Sequence, residues 1–345
     1  MRDLHDCNIL DVTVRDGSYL IHHKFSPEKT AEIAAGLSAA GVRYAEISHG
    51  IGIGGKLMGF PALVDDEDLL AAAKQAAPEL QLAIFISPVD MAVPIIPSLL
   101  EYFEIGRVGV NVTEVAEAQR FVAKLKKYQK KASVQLVRCH ARPPEEAALA
   151  AKQAVEMGAD IVYVVDTFGS MRPRDAAEYV RALRSEVKVE VGFHGHNNLG
   201  LAIPNTMAAL EAGATWLDAS LMGVGRGAGN ANLEALALLL QQAGALSGWD
   251  LGKLCAASER TVLPLFGNPP VSRYVDLLLA LEKLDFSPSS MLELCAHSAG
   301  TSLEDFVTQV HHKMGDKISV TEAHLQDALL EYGVEYQKML EALKQ

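Results

Sequence analysis

Two histidines separated by a single residue, His194 and His196, form the pattern in this sequence best suited to metal chemistry. They end an apolar run that is typical of a β-strand, and residues two apart on a strand project from the same face. Two imidazoles on one face can hold a divalent ion together with a carboxylate. Nitrogen and oxygen ligands suit Mn²⁺, Mg²⁺, Co²⁺ or Zn²⁺. The alternative interpretation is a pair of polar side chains in an exposed loop.

A second polar pair, Arg15 and Asp16, follows the first apolar run of the chain. If the strands close into a ring, one strand separates Asp16 from the histidines, so its carboxylate is the best-placed third ligand. An arginine beside a metal ligand can hold an anion or stabilise the charge on an enolate oxygen. A structural salt bridge is the alternative. The glycine-rich segment 223–229 leads to Asn230, which can reach the metal or order its loop.

The elements that must position these residues are short apolar runs, each followed by a stretch with helical periodicity. We identify eight runs at intervals of 26 to 37 residues, beginning near Asn8, Arg43, Leu80, Gly106, Ser133, Asp160, Val189 and Thr215. Each interval fits one strand, one helix and two loops. Eight parallel strands buried on both faces predict a (β/α)8 TIM barrel, with an open doubly wound sheet as the alternative.

The last hundred residues contain helical patterns and no convincing strand. We therefore predict a barrel domain over residues 1–245 and a helical C-terminal domain over residues 246–345. The predicted helices of this extension run over Leu251 to Val262, Tyr274 to Leu284, Leu303 to His312 and Thr321 to Leu343. Such a unit could pack on the barrel mouth or contact a partner.

Chemistry in a barrel of this kind occurs in the loops after the strands. None of the eight runs contains a lysine, although Lys188 lies just before the seventh run. A Schiff-base aldolase needs a lysine inside the barrel, so carbonyl chemistry here would use a metal as its electron sink.

Composition limits the partners and the compartment. The 345 residues carry a net charge of −12, which argues against nucleic acid and anionic membranes as partners. The N-terminal residues lack the pattern of a signal peptide, and prolines interrupt the longest apolar region, near residues 82–100. Four widely spaced cysteines suggest unpaired thiols. We expect a cytoplasmic protein.

Four segments resemble the metal-dependent branch of the superfamily that contains pyruvate aldolases, acyl-CoA lyases and acyl-CoA synthases, and most closely the 4-hydroxy-2-oxovalerate aldolases. They are Asp11 to Ser18 (DVTVRDGS), Glu46 to Gly50 (EISHG), His194 to Leu199 (HGHNNL) and Asp218 to Ala231. The resemblance spans residues 11 to 231. It implies a barrel enzyme that uses a divalent metal, with Mn²⁺ the expected ion, and that makes or cleaves a 4-hydroxy-2-oxo acid from pyruvate and an aldehyde.

The resemblance also implies roles for individual residues. Arg15 would stabilise the pyruvate enolate, and Thr167 stands where the aldolases use a serine for the pyruvate carboxylate. Tyr19 takes the place of the family's catalytic histidine, and His23, just after His22, matches a second histidine of the pattern. The implied residues are Asp16, His194 and His196 as metal ligands with Asn230 as a further one, Arg15, Tyr19 and His23 as catalytic residues, and Arg15, Thr167 and His49 as substrate contacts.

Family relatives dock an acylating aldehyde dehydrogenase, so the expected partner of the C-terminal helices is such an enzyme or a second copy of the chain. Two alternative functions stay open. A Claisen-type synthase would join acetyl-CoA to a 2-oxo acid, although those relatives carry a glutamate where this chain has Ser18. A non-catalytic barrel that only binds a 2-oxo acid is the other.

Overall fold

The computed structural model describes residues 7–268, 270–284, 290–315 and 320–342. Within them, parallel strands form a closed barrel in chain order, and β1 pairs with β8. The strands are β1 (Asn8–Asp11), β2 (Tyr44–Glu46), β3 (Gln81–Ile86), β4 (Ile105–Asn111), β5 (Lys131–Val137), β6 (Ile161–Asp166), β7 (Glu190–Gly195) and β8 (Trp216–Ala219). Closure confirms the predicted (β/α)8 fold and excludes the open sheet.

Helices cover the outside of the barrel between successive strands. They are α2 (Pro27–Ala39), α3 (Asp66–Ala76), α4 (Gln119–Lys127), α5 (Pro144–Glu156), α6 (Pro173–Glu186), α7 (Ala202–Glu211) and α8 (Leu233–Gln242), preceded by a short helix α1 (Thr13–Gly17). The β3 to β4 connection instead holds two 3₁₀ turns, Asp90–Ala92 and Ile96–Leu99. Pro94 and Pro97 lie in this connection, and proline lacks the N–H that a continuous helix needs.

The first strand is shorter than the apolar run that predicted it. The run extends to Val14, but β1 ends at Asp11. The Asp11 carboxylate accepts hydrogen bonds from the Thr13 backbone N–H (3.0 Å) and hydroxyl (2.6 Å), which turn the chain into α1. Arg15 and Asp16 therefore lie on a helical turn above the end of the strand, which corrects the strand-end position that the sequence suggested.

Two large hydrophobic cores, and a smaller cluster that includes Leu10, Tyr163 and Trp216, organise the described part of the chain. The barrel core includes Leu254 of α9 (Leu251–Thr261) and Val262, which lie beyond the predicted boundary at residue 245. Helix α9 approaches α2 closely, because a β-carbon added to Gly36 would lie 2.6 Å from that of Ala257. The second core starts at Val275 and is built by α11 (Tyr274–Glu282), α12 (Ser290–Ala299), α13 (Leu303–Met314), α14 (Glu322–Leu330) and α15 (Tyr336–Ala342). The short α10 (Leu263–Phe266) precedes it.

The long helix predicted from Thr321 to Leu343 is wrong as one element. Helices α14 and α15 divide it, and Gly333 between them has φ +73°. This left-handed conformation ends a helix readily at glycine. No helix in the described ranges is both long and apolar enough to cross a membrane.

Candidate active site

A cavity of about 310 Å³ opens at the carboxyl ends of the barrel strands. It contains most of the side chains singled out from the sequence, and polar and charged residues from β1 to β8 and their loops line it. Those lining residues are Arg15, Asp16, Tyr19, Ser87, Asn111, Glu114, Glu117, Gln135, Arg138, Thr167, His194, His196 and Arg226. The fold thus brings together residues as far apart in the chain as Arg15 and Arg226, at the end of the barrel where TIM-barrel enzymes carry out their chemistry.

Asp16, His194 and His196 form a cluster with the composition of a metal site. Each offers one ligand atom, these atoms lie within 4.8 Å of one another, and all three residues are buried. Asn230 joins them, because its Nδ2 donates to Asp16 Oδ2 at 2.8 Å. Its Oδ1 is buried without a hydrogen-bond partner in the described part of the chain. A carboxylate, two imidazoles and an unsatisfied amide oxygen fit a divalent cation.

The Nδ1 atoms of both histidine rings lie near oxygen acceptors that orient the rings. His194 Nδ1 lies 2.9 Å from Asp218 Oδ2, and His196 Nδ1 lies 3.4 Å from the Gly229 carbonyl. Metal-binding histidines commonly donate their second ring N–H to such oxygens, which fixes the tautomer and the orientation of the ring. Gly229 also has φ +89°, so the glycine-rich loop places its carbonyl beside the ring in a conformation that other residues rarely adopt.

The protonation states also fit a cation. Burial, followed by the positive charge of Arg226, lowers the pKa of His196 to about 3, which leaves the imidazole neutral at pH 7. Burial opposes ionisation of Asp16. The positive charge of Arg15, helped by the Asn230 hydrogen bond, nevertheless outweighs it and holds the pKa of this carboxyl well below its usual range. Neutral imidazoles and an ionised carboxylate are the forms that bind metals.

The glycine at position 225 allows the loop after β8 to close over Asp16. A β-carbon added there would lie 2.6 Å from Asp16 Oδ2. The next backbone N–H, that of Arg226, donates to the same oxygen at 3.2 Å. The glycine-rich segment that leads to Asn230 is therefore part of the site.

A row of alternating buried charges leads from the cavity through the barrel axis. Arg15 donates to Asp16 Oδ1 and to Glu46 Oε2, both at 2.6 Å. Arg107 Nη1 lies 2.8 Å from Glu46 Oε1, and its Nη2 pairs with Asp218, the residue that holds His194. Every member of this row is less than a tenth exposed.

The sequence reasoning assigned no role to Glu46, Arg107 or Asp218. A signal was present, because each is a charge inside an otherwise apolar strand. Such charges are rarely buried unless they are paired. Arg107 also lies over the Tyr163 ring, 4.7 Å from its centroid. Together these contacts fix the Arg15 guanidinium.

Tyr19 lines the cavity, whereas His23 lies behind it. The two rings meet edge to face, with centroids 4.7 Å apart. His23 Nδ1 lies 2.8 Å from the Ser18 hydroxyl, which itself donates to the Arg15 carbonyl. Burial, and then the neighbouring His49 and His22, lower the pKa of His23 to about 4, so the ring is neutral at pH 7.

The structure does not bring His49 into the cavity. Its ring contacts His23 at a centroid distance of 4.3 Å. Nε2 lies 2.9 Å from the Pro61 carbonyl, and Nδ1 accepts from the Ile51 backbone N–H at 3.1 Å. These contacts organise the long loop that follows β2. Direct contact between His49 and the substrate stays a prediction.

Thr167 lines the cavity between two arginines that the sequence reasoning left without a role. Its hydroxyl oxygen accepts from the Arg138 backbone N–H at 2.8 Å. Its carbonyl accepts from Arg226 Nη2 at 2.6 Å. The Arg138 guanidinium turns the other way and donates to Asn111 Oδ1 at 2.8 Å.

Comparison with known proteins agrees with this geometry. Residues 101–261 match the HMGL-like family. The chain is 38% identical to an oxaloacetate decarboxylase of Mycobacterium tuberculosis over 87% of this chain and 90% of that protein. It is 36% identical to a 4-hydroxy-2-oxovalerate aldolase of Moorella thermoacetica over 92% of this chain and 98% of that protein.

Among solved structures, a variant of the carboxyl transferase domain of Rhizobium etli pyruvate carboxylase, determined with pyruvate, superposes with a TM-score of 0.75 at 18% identity. The match covers 97% of this chain and 63% of that one, and it shows a shared fold. The similarity to relatives that are matched over nine-tenths or more of their length confirms the resemblance inferred from the sequence motifs. The chain belongs to the HMGL-like family, in the group of the 4-hydroxy-2-oxovalerate aldolases.

Proposed function

We propose that the protein is a divalent-metal-dependent lyase that cleaves a 4-hydroxy-2-oxo acid into pyruvate and an aldehyde. The observation that carries the proposal is the position of Arg15 beside the Asp16, His194 and His196 cluster. Its Nε and Nη1 are held by Glu46 and Asp16, and the described residues give its Nη2 no partner. An arginine fixed in this way at a cavity wall can stabilise a developing oxyanion without reorganising.

The three clustered residues would hold the ion, with Asn230 as a further ligand. A bound divalent cation would polarise the 2-oxo group of the substrate. In the cleavage direction a base removes the 4-hydroxyl proton, and the bond between carbons three and four breaks. The electron pair moves into the enolate of pyruvate, whose oxygen lies beside Arg15. A proton added to carbon three completes pyruvate, and the aldehyde leaves.

The side chains at the cavity wall divide the remaining tasks. Tyr19 is the group placed to contact the 4-hydroxyl, and His23 positions the phenol through its ring contact. Thr167 offers its hydroxyl proton to the substrate carboxylate, because its oxygen already accepts from the Arg138 backbone. Mn²⁺ is the ion we expect.

Replacing Arg15 by lysine tests the proposed role of its guanidinium. We expect the variant to bind metal as the parent does and its kcat to fall by about 10²- to 10³-fold, the usual cost of losing one oxyanion donor. Lysine keeps the charge but lacks the planar fork that contacts Glu46 and Asp16 together. Steady-state kinetics and metal analysis measure the two effects. Arg43→Lys, at an exposed position before β2, is the matched control. A normal kcat in Arg15→Lys would remove Arg15 from the mechanism.

Oxaloacetate decarboxylation is a second candidate, favoured by the similarity to the mycobacterial decarboxylase and by Tyr19. Loss of CO₂ from oxaloacetate leaves the same pyruvate enolate beside Arg15. No hydroxyl proton has to be removed in that reaction, so a strong base in the position of Tyr19 is not required. Both reactions would use the same metal ligands.

Tyr19→Phe separates the two activities. We expect aldol cleavage to fall by about 100-fold, the lower range for a lost acid–base group, and oxaloacetate decarboxylation to fall far less. Coupled assays for pyruvate measure both rates on one preparation. Tyr128→Phe, at the end of α4 and outside the cavity, controls for loss of a phenol. Equal losses in both reactions would contradict the role of Tyr19 as the contact of the 4-hydroxyl.

We further propose that the C-terminal helices dock a partner, either an acylating aldehyde dehydrogenase or a second copy of the chain. The support is one exposed apolar face on α11, formed by Tyr274, Leu277 and Leu281.

A cytoplasmic location is supported by the cysteines, which form no disulfides in the described part of the chain.

A further inference from the structure

Arg138 is one of three arginines that line the cavity, with Arg15 and Arg226, and it follows a strand that carries no member of the metal cluster. It follows β5, is half-buried and lines the cavity. Its Nη1 donates to Asn111 Oδ1 at 2.8 Å, and Asn111 Nδ2 donates in turn to Glu114 Oε2 at 2.9 Å. This chain of hydrogen bonds holds the guanidinium over the end of β4.

The backbone of Arg138 adopts the left-handed conformation. The residue has φ 61° and ψ 44°, which lie in the left-handed region that residues other than glycine and asparagine seldom occupy. The backbone N–H of Arg138 donates a hydrogen bond to the Thr167 hydroxyl oxygen. Strained backbone of this kind concentrates at functional sites, where the surrounding structure maintains it.

The Arg138 guanidinium lies at the end of β4, on the opposite side of the barrel mouth from the metal cluster. The metal cluster belongs to the ends of β1 and β7, and β4 is three strands from each in the closed barrel. A substrate that binds the cluster with its 2-oxo acid end, and extends across the mouth, therefore brings its far end to Arg138. Glu114 and Glu117 also line this side, but both are exposed, where solvent and salt screen their charge.

We propose that Arg138 is a specificity-determining residue that binds a second carboxylate, on the part of the substrate that leaves as the aldehyde. This inference rests on the proposed function and names its substrate class, the 4-hydroxy-2-oxo dicarboxylic acids. Cleavage breaks the bond between carbons three and four, and its electron pair enters the pyruvate enolate. The 4-hydroxyl proton goes to the base, and a proton added to carbon three completes pyruvate. The carboxylate of the aldehyde pairs with Arg138 during cleavage and is released when the aldehyde leaves.

Equilibrium binding tests the inference without turnover. Mg²⁺-loaded protein is titrated calorimetrically with 2-oxoglutarate and with 2-oxopentanoate, which have equal chain lengths and lack the 4-hydroxyl that cleavage needs. We expect 2-oxoglutarate to bind about 10- to 100-fold more tightly, the range for one charge-assisted hydrogen-bonded contact. Arg138→Met should abolish the preference, and Arg138→Lys should restore part of it. Arg142→Met, whose parent side chain pairs with Glu146 outside the cavity, should keep the preference in full.

Cleavage assays with 4-hydroxy-2-oxoglutarate and 4-hydroxy-2-oxovalerate separate this inference from the proposed function. Equal affinities of the parent protein for the two 2-oxo acids would overturn the inference even if both hydroxy acids were cleaved. An equal loss of affinity for both in Arg138→Met would also overturn it, because a merely structural role predicts that result. A preference that depends on Arg138, together with no cleavage of either hydroxy acid, would uphold the anion site and reject the aldolase.

Discussion

Substituting His194 by alanine is expected to remove metal binding and to lower kcat by about 10³-fold or more. The polarisation that the ion supplies is worth several kcal/mol, and each 1.36 kcal/mol changes a rate tenfold. Among the described residues, no His, Cys, Asp or Glu other than His196 and Asp16 belongs to the cluster, so none of these types is placed to replace the lost ligand. Elemental analysis of the purified variant and steady-state kinetics measure the two losses.

The expected fold of the His194→Ala variant is unchanged, because the barrel core is built from apolar side chains around the site. Circular dichroism checks this point. His312→Ala, at an exposed position on α13, controls for loss of an imidazole and should keep both metal and rate. Full activity in His194→Ala would remove this histidine from the metal site.

Replacing Arg107 by methionine is expected to lower the free energy of unfolding by about 3–5 kcal/mol, the cost of leaving buried charges without their partner. Arg107 lies between the Glu46 and Asp218 carboxylates and is 2% exposed. Methionine fills similar space but removes the positive charge that lies between two buried carboxylates. Urea unfolding at pH 7 measures the change.

The matched control for Arg107 is another arginine that pairs with an aspartate, but at the surface. Arg120 forms its salt bridge with Asp90, and its side chain is 50% exposed. An exposed pair contributes only about 0–1 kcal/mol, so Arg120→Met should hardly change the free energy of unfolding. Similar losses in the two variants would show that the buried row of charges does not hold the barrel axis together. We also expect Arg107→Met to weaken metal binding, because Asp218 orients His194.

The fold was predictable from local patterns, and the arrangement inside the barrel was less so. Apolar runs and their spacing located every strand because parallel strands buried on both faces need such runs. The end of β1 was misplaced because the Asp11 side chain stops the strand, and apolar patterning does not report a turn of that kind. Helix α12 went unnoticed, and Gly333 divides the last predicted helix.

The metal cluster was predictable because the His-x-His spacing and ring closure constrain it on their own. The residues behind it were not, since the partner of a buried charge depends on which side chains meet at the barrel axis. Glu46, Arg107 and Asp218 come from three different strands, and their pairing appears only once the strands are assembled. The same applies to Arg138, whose direction depends on Asn111 and on its own left-handed backbone.

Exchange of the methyl protons of pyruvate tests directly whether a metal-loaded site forms the pyruvate enolate beside Arg15. Proton NMR in D₂O follows the loss of the methyl signal with Mg²⁺-loaded protein, with protein stripped by EDTA, and with stripped protein to which Mg²⁺ has been restored. We expect exchange in the first and third samples, and none above the background rate in the second or in His194→Ala. Absence of exchange with every divalent ion would contradict this expectation, and the site would then form its carbanion from another substrate or only bind the 2-oxo acid.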